Sequence, residues 1–214
     1  MRHLPTREEI RALADRARGR RFRVLMSGCV AGLSCGWEGT SYGEWSLHRW
    51  FADHASVVQI IPFCPEDFVL GTPRELCDIH GGNGFDVLDG KARVLTTSGK
   101  DWSEPMIRAA RRMLEVAREH QVDLAILMDM SAACGSQVIS DGDRTAKDRR
   151  YQAGPGVSAA LLMKNGVPVI SQRDFRTLGH LMEALDPGFG TPPMARDHHE
   201  TDWYRSYFKL AAEE

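Results

Sequence analysis

The sequence predicts an α/β fold: a single Rossmann-like three-layer domain with a mostly parallel sheet and a functional site at the carboxyl edge of its strands. Three observations predict it. Short, continuously apolar runs recur along the chain, as strands buried on both faces require. Segments with apolar residues at three- and four-residue spacing separate them, so strands and helices alternate. Three cysteines follow apolar runs in Gly- or Pro-containing loops, where open α/β sheets place their ligands. Length agrees, since 214 residues with 43% hydrophobic content supply the core of one compact domain with an appendage.

Residues 1–21 form an N-terminal helical segment. Thr6 and Glu9 have capping-box spacing, and Ile10, Leu13, Ala14 and Ala17 share one face. The α/β domain spans 22–185. Its first strand is Phe22–Met26, followed by a Gly-rich loop over 27–43 and an aromatic helix over 44–54. Val57–Ile61 is the second strand, ending at Pro62, and an irregular stretch rich in Pro and Gly runs from 63 to about 83. Ala92–Thr96 suits a strand. Ser103 is placed to cap a helix to about His120, with Met106, Ile107, Ala110, Met113, Leu114 and Ala117 at helical spacing. Leu124–Met128 is the next strand, a loop covers 129–156, and a helix passes through Val157, Ala160, Leu161 and Lys164. Val167–Ser171 is the last strand, on an edge because Pro168 cannot donate to a ladder. Asp174 is placed to cap a helix through Leu178, Leu181, Met182 and Leu185. The remainder, 186–214, turns to Gly, Pro and charge and reads as an arm or a partner contact. No internal repeat is present.

Charge and patterning exclude several function classes. Lys and Arg number 27 against 29 Asp and Glu, a net charge of -2, which argues against holding nucleic acid by blanket phosphate neutralisation. No apolar run approaches the roughly 20 residues needed to cross a bilayer. The charged start, MRHLPTREEIRALADRARGRRFR, lacks the apolar stretch of a signal peptide, so a cytoplasmic location without membrane association is expected. There the five cysteines, an odd number, do not form a disulfide framework.

Cys29 lies three residues beyond the first predicted strand, Cys64 three beyond the second, and Cys134 six beyond Leu124–Met128. In a parallel sheet all three emerge at one edge. Each sits in a loop (Ser-Gly-Cys-Val-Ala-Gly, Phe-Cys-Pro-Glu, Ser-Ala-Ala-Cys-Gly) and not in an apolar run, so a metal site describes them better than burial as small hydrophobes. Thiolates select zinc or iron–sulfur clusters. Ordinary clusters use four cysteines, and three would leave one iron open. Cys35 reads as a spare ligand or a turn-packing residue, and Cys77 as structural. Gly154-Pro-Gly156, ahead of a helix, reads as a tight turn or an anion-binding helix end, and Asp141-Gly142-Asp143 as a turn. The basic run Arg144–Arg150 is a solvated loop or a phosphate contact. His198 and His199 stand in the tail, away from the cysteine loops.

Four blocks make the chain similar to the thiouracil desulfidase family, once known only as a domain of unknown function. They are Met26-Ser-Gly-Cys-Val-Ala-Gly-Leu-Ser-Cys-Gly-Trp-Glu-Gly39; Cys64-Pro-Glu66 with Thr72-Pro-Arg74; Asp86-Val-Leu-Asp-Gly90 through Gly99-Lys-Asp101; and Ser131-Ala-Ala-Cys-Gly135, Asp141-Gly142 and Gly154-Pro-Gly-Val-Ser-Ala-Ala-Leu-Leu162. Together they span about 22–172. The resemblance implies a [4Fe-4S] cluster on Cys29, Cys64 and Cys134 with one open iron site, and catalytic assistance from Glu66 and Ser131. It implies a desulfidase that replaces C=S by C=O in thiolated uracil, its nucleoside or a related small thioamide. The reaction is formally hydrolytic and needs no reductase partner. The chain departs from the family at Gly36-Trp37-Glu38 (Arg-Tyr-Asp in the family), at Ala132-Ala133 (Pro-Ser), at Met128, where Lys is usual, and in lacking a Gly-Gly after Cys-Pro-Glu. Those departures bear on substrate recognition, while the cluster ligands persist. Resemblance to longer relatives of the family implies thiouridine in tRNA as a further candidate substrate; the charge of -2 and the absence of an obvious second nucleic-acid domain favour a free base or nucleoside here. Two alternatives use the same cysteines: a zinc-dependent hydrolase, and a non-catalytic iron–sulfur sensor or binding module.

Overall fold

The structure, a computed structural model, describes residues 4–42 and 46–209. Its centre is a fully parallel sheet in the order β2-β1-β5-β8, built from β1 (Phe22–Ser27), β2 (Val58–Phe63), β5 (Leu124–Leu127) and β8 (Val169–Ser171). Side chains alternate across each strand, so Val24 and Met26 face one layer and Leu25 the other. On one side pack α1 (Arg7–Arg16), α2 (Ser46–Asp53) and α7 (Phe175–Leu185), burying Ile10, Leu13, Phe51, Leu178 and Leu181. On the other lie α5 (Ser103–Glu119) and α6 (Val157–Lys164), with Met106, Ala110, Met113, Val157 and Leu162 in the core. These layers are the predicted three-layer α/β domain, and β8 occupies the edge that Pro168 indicated. Thr6 and Glu9 form the capping box. The expected helix start at Glu44 lies outside the described residues.

A second sheet is new relative to the sequence reading. Its order is β4-β3-β6-β7, from β3 (Cys77–His80), β4 (Arg93–Thr96), β6 (Val138–Asp141) and β7 (Arg150–Ala153). The predicted strand at 92–96 therefore pairs antiparallel with β3 and not within the parallel sheet. The stretch read as irregular, 63 to about 83, contains α3 (Pro65–Leu70) and β3, the loop over 129–156 contains β6 and β7, and α4 (Gly84–Leu88) falls between 83 and 92, where no element was assigned. Polar and charged residues interrupt β3 (Cys77-Asp-Ile-His80), β6 (Val138-Ile-Ser-Asp141) and β7 (Arg150-Tyr-Gln-Ala153), so none shows the continuous apolar run that marks β5. Two caps also differ. Ser103 is the first residue of α5, and its Oγ accepts from the Val94 amide, 2.9 Å. Asp174 stands at the N-cap position of α7 but makes no side-chain cap there.

The tail packs against α7. Residues His198–Glu200 make a 3-10 turn and Asp202–Tyr207 form α8. Asp197 anchors this segment to α7, accepting from the Thr177 amide and hydroxyl at 2.9 and 2.8 Å. Among the described residues no helix is long and apolar enough to cross a membrane.

Candidate active site

Because β1, β2, β5 and β8 run parallel, the residues that follow them gather at one edge. Cys29 comes two residues after β1, Cys64 immediately after β2, and Cys134 in the loop after β5. All three line one cavity of about 260 Å³, with Glu66, Ser131, Trp37, Tyr42 and Met128. The structure thus brings the five sequence-predicted candidates to one cavity. Cys35 and Cys77 line the same cavity, so neither is remote from it. None of the five cysteines is in a disulfide.

Local chemistry fixes the geometry. Cys64 is the N-cap of α3, with Pro65 in the first helical turn, and its Sγ accepts from the Asp67 amide at 3.4 Å. Its thiol also reaches the Cys35 carbonyl at 3.7 Å. Gly28 lets the backbone of the first loop approach: a Cβ there would lie 2.9 Å from Cys35 Sγ and 3.2 Å from Cys64 Cβ. The thiols hold one another's protons. Cys35 is pushed up to about 12, first by its hydrogen bond with Cys29. Cys64 is raised by its hydrogen bond with Cys35, by burial and by Glu66, and Cys134 by burial and by Cys64. Neighbouring thiolates need a cation between them to be charged together, which is the condition a metal centre meets. A set of soft sulfur donors of this kind fits an iron–sulfur or zinc centre and not a hard cation.

The two predicted catalytic residues touch. Ser131 Oγ donates to Glu66 Oε1 at 3.0 Å, and accepts from the amides of Ala133 (3.2 Å) and Cys134 (3.1 Å). Glu66 Oε2 is held by Arg74 through Nη2 (2.9 Å) and Nε (3.2 Å). Arg74, only 4% exposed at its side chain, also donates to the carbonyls of Cys35 and Gly71. It ties the Cys35 loop, α3 and the loop after α3 into one unit. Arg74 stands in the sequence only as part of Thr72-Pro-Arg74; its contacts join segments that folding alone brings together.

The loop carrying Ser131 and Cys134 is set from below. Asp129, the second residue beyond β5, accepts from the amides of Ser136, Gln137 and Val138 on one oxygen at 3.0, 3.2 and 3.0 Å. Its other oxygen faces His198 Nδ1 at 2.5 Å, both side chains buried. The hydrogen bonds from His198 and the amides hold the Asp129 carboxyl below its usual range despite complete burial, which acts the other way. His198 is therefore directly beneath the cysteine loop, contrary to the expectation that it stands away from it. A helix-end anion site at Gly154-Pro-Gly156 is also overturned. The first amides of α6 are spent on this loop, Val157 on the Ala132 carbonyl and Ser158 on that of Ala133, both at 2.9 Å. Of the basic run, Arg144 reaches the cavity wall but is paired with Asp78 at 2.5 Å, while Lys147, Arg149 and Arg150 are exposed. Of Asp141-Gly142-Asp143, read as a turn, Asp141 ends β6 and Gly142, at φ +80°, bends the chain there while its amide still donates to the Ile79 carbonyl at 2.9 Å.

Comparison with known proteins gives concordant results. The 2-thiouracil desulfurase family model matches residues 24–174. The uncharacterized protein YbbK of Bacillus subtilis (strain 168) is 34% identical over 158 residues, covering 72% of this chain and 99% of that protein. Among solved structures, the [4Fe-4S]-dependent thiouracil desulfidase TudS superposes with a TM-score of 0.61 at 27% identity. That match covers 74% of this chain and 95% of TudS.

Proposed function

From the premise that this chain belongs to the 2-thiouracil desulfurase family, we propose that it is an iron–sulfur-dependent desulfidase converting the C=S of a small thiolated pyrimidine to C=O. The observation that carries the proposal is the gathering of Cys29, Cys64 and Cys134 around one cavity with the linked pair Glu66–Ser131. In this reading the three cysteines hold a [4Fe-4S] cluster with one iron left open to substrate. When bound, the cluster supplies a thiophilic Lewis acid that draws electron density from the carbon bearing sulfur. A single zinc ion would need its sulfurs about 2.3 Å from the metal. Among the described residues no group of three His, Cys, Asp or Glu is arranged to hold a single ion, so zinc is kept as the alternative.

The protein's own groups manage position and protons. Arg74 holds the Glu66 carboxylate toward the cavity, and Glu66 takes a proton from the water that attacks the ring carbon. Ser131, anchored by two loop amides, has one hydroxyl proton, which it turns from Glu66 to the substrate, orienting it or donating to the departing sulfur. The balance is C=S plus water giving C=O plus hydrogen sulfide, with no net electron transfer. Trp37, Tyr42 and Met128 make the cavity wall against which a planar ring fits. The net charge of -2 favours a free base or nucleoside over tRNA.

Anaerobic purification with iron and acid-labile sulfide quantitation, followed by sulfide release from 2- and 4-thiouracil, tests the proposal. A brown protein that releases sulfide, and that Glu66→Ala inactivates, is the expected result. A colourless, iron-free protein after anaerobic reconstitution overturns it. Zinc without labile sulfide points to the hydrolase alternative. A cluster without turnover, indifferent to Glu66→Ala, points to a sensor or binding module.

A further inference from the structure

The matched family region ends at residue 174, yet a residue 24 positions later is built into the floor of the site. Asp129 lines the cavity, but neither of its oxygens is available to a substrate. One carries three consecutive amides of the strand entry that follows Cys134, and the other carries His198. The carboxyl is held ionised and so is acceptor-only, which makes His198 Nδ1 the donor. His198 is itself oriented on two sides. Its amide donates to Asp174 Oδ1 at 3.1 Å, and its ring stacks on Trp203 with centroids 5.5 Å apart and planes at 13°. Asp174 in turn accepts from the Ser171 amide at 2.7 Å and from the Gln137 side-chain amide, so the loops after β5 and β8 share one buried network.

We infer that His198, supplied by the C-terminal extension, is a positioning residue for the active site, fixing through Asp129 the loop that presents Ser131 and Cys134. The physical basis is that of an outer-shell partner. A charged hydrogen bond between two buried side chains locks the carboxylate, the carboxylate locks three amides, and those amides terminate the loop that carries a ligand and a catalytic hydroxyl. In assigning the loop's purpose this rests on the desulfidase reading given above. The extension is thereby part of the enzyme's working parts and not an appendage.

The test compares His198→Asn with His198→Gln and His198→Ala in the full chain. An Asn amide reaches the place of Nδ1 and restores the donor; a Gln amide is displaced from it by one methylene, and Ala has none. Amide hydrogen exchange of residues 136–138 is read first, in metal-free protein. Their protection should fall about tenfold or more in the Ala and Gln variants and stay near wild type in Asn, with β1 and β5 amides unchanged. Iron retention and kcat of the reconstituted protein should follow the same order, falling about 10- to 100-fold in Ala and Gln, with KM changed much less. Wild-type exchange and iron content in His198→Ala, or an Asn variant as impaired as Gln, overturns the inference. A wild-type protein that takes up no iron overturns the desulfidase reading instead, and leaves the exchange result to decide the role of His198.

Discussion

A single methyl group at Gly156 should dislodge the cysteine loop. Gly156 has φ -73° and ψ 173°, which alanine adopts freely, so the effect of Gly156→Ala is one of space alone. The added Cβ would lie 2.5 Å from the Ala132 carbonyl oxygen and 2.7 Å from both Ala133 C and Ser131 O, where ordinary contact begins at 3.4 Å. These are backbone atoms, and no rotamer change relieves them. The loop must retreat by about 0.9 Å, beyond the ~0.5 Å within which a functional constellation keeps its geometry. Overpacking of this kind costs about 1–3 kcal/mol, which for a chain of this size lowers Tm by a few degrees to about 10 °C. Iron content after anaerobic reconstitution should fall at least several-fold, since Ser131 and Cys134 move with the loop. Thermal unfolding and iron quantitation read the two effects, with Gly190→Ala, whose Cβ meets nothing within 4 Å, as the neutral control. A Gly156→Ala protein with the Tm and iron content of wild type would refute the claim that α6 and this loop are in obligatory contact.

Other perturbations have equally definite signs. Arg74→Met strips Glu66, 18% exposed at its side chain, of its partner and should cost about 3–5 kcal/mol in urea unfolding as well as activity. Arg74→Lys should recover only part of it, because one ammonium cannot reach Glu66 and the carbonyls of Cys35 and Gly71 together; unchanged stability in the Met variant counts against the pairing. Burial lifts the Asp174 carboxyl from 3.8 to about 7, so the folded chain holds that proton more tightly than the unfolded one. Its contribution to stability is complete below about pH 3.8 and is lost as pH rises through about 7. The stability of wild type relative to Asp174→Asn should accordingly decline over that window, and a pH-independent difference would show the carboxyl to be ionised throughout. Cys134→Ala should abolish iron binding, whereas Cys77→Ala should retain it with a small loss of stability. Equal iron loss in both would mean that the ligand set is wrongly drawn.

The parallel sheet was legible because its evidence is local. Phe22–Met26, Leu124–Met128 and the α5 segment each carry an apolar pattern long enough to show its own period, and the cysteines' places follow from strand direction alone. Of the second sheet only the strand at 92–96 was legible. In β3, β6 and β7 polar or charged residues break the apolar run, and Arg150–Ala153 is half exposed, so nothing marks them. Gly154-Pro-Gly156 illustrates a different limit: glycine announces a close approach or a turn, but not which backbone approaches.

By itself, then, the sequence determined the layered α/β architecture and the sheet edge at which Cys29, Cys64 and Cys134 emerge, while Glu66 and Ser131 were picked out by family resemblance and not by spacing. Tertiary structure alone decided how those groups are held. Ser131 meets Glu66 across 65 residues and His198 meets Asp129 across 69. Arg74 reaches back 39 residues to the Cys35 carbonyl. Periodicity and spacing report only on neighbours along the chain, whereas the partner of a buried charge is selected by the packing that excludes water around it.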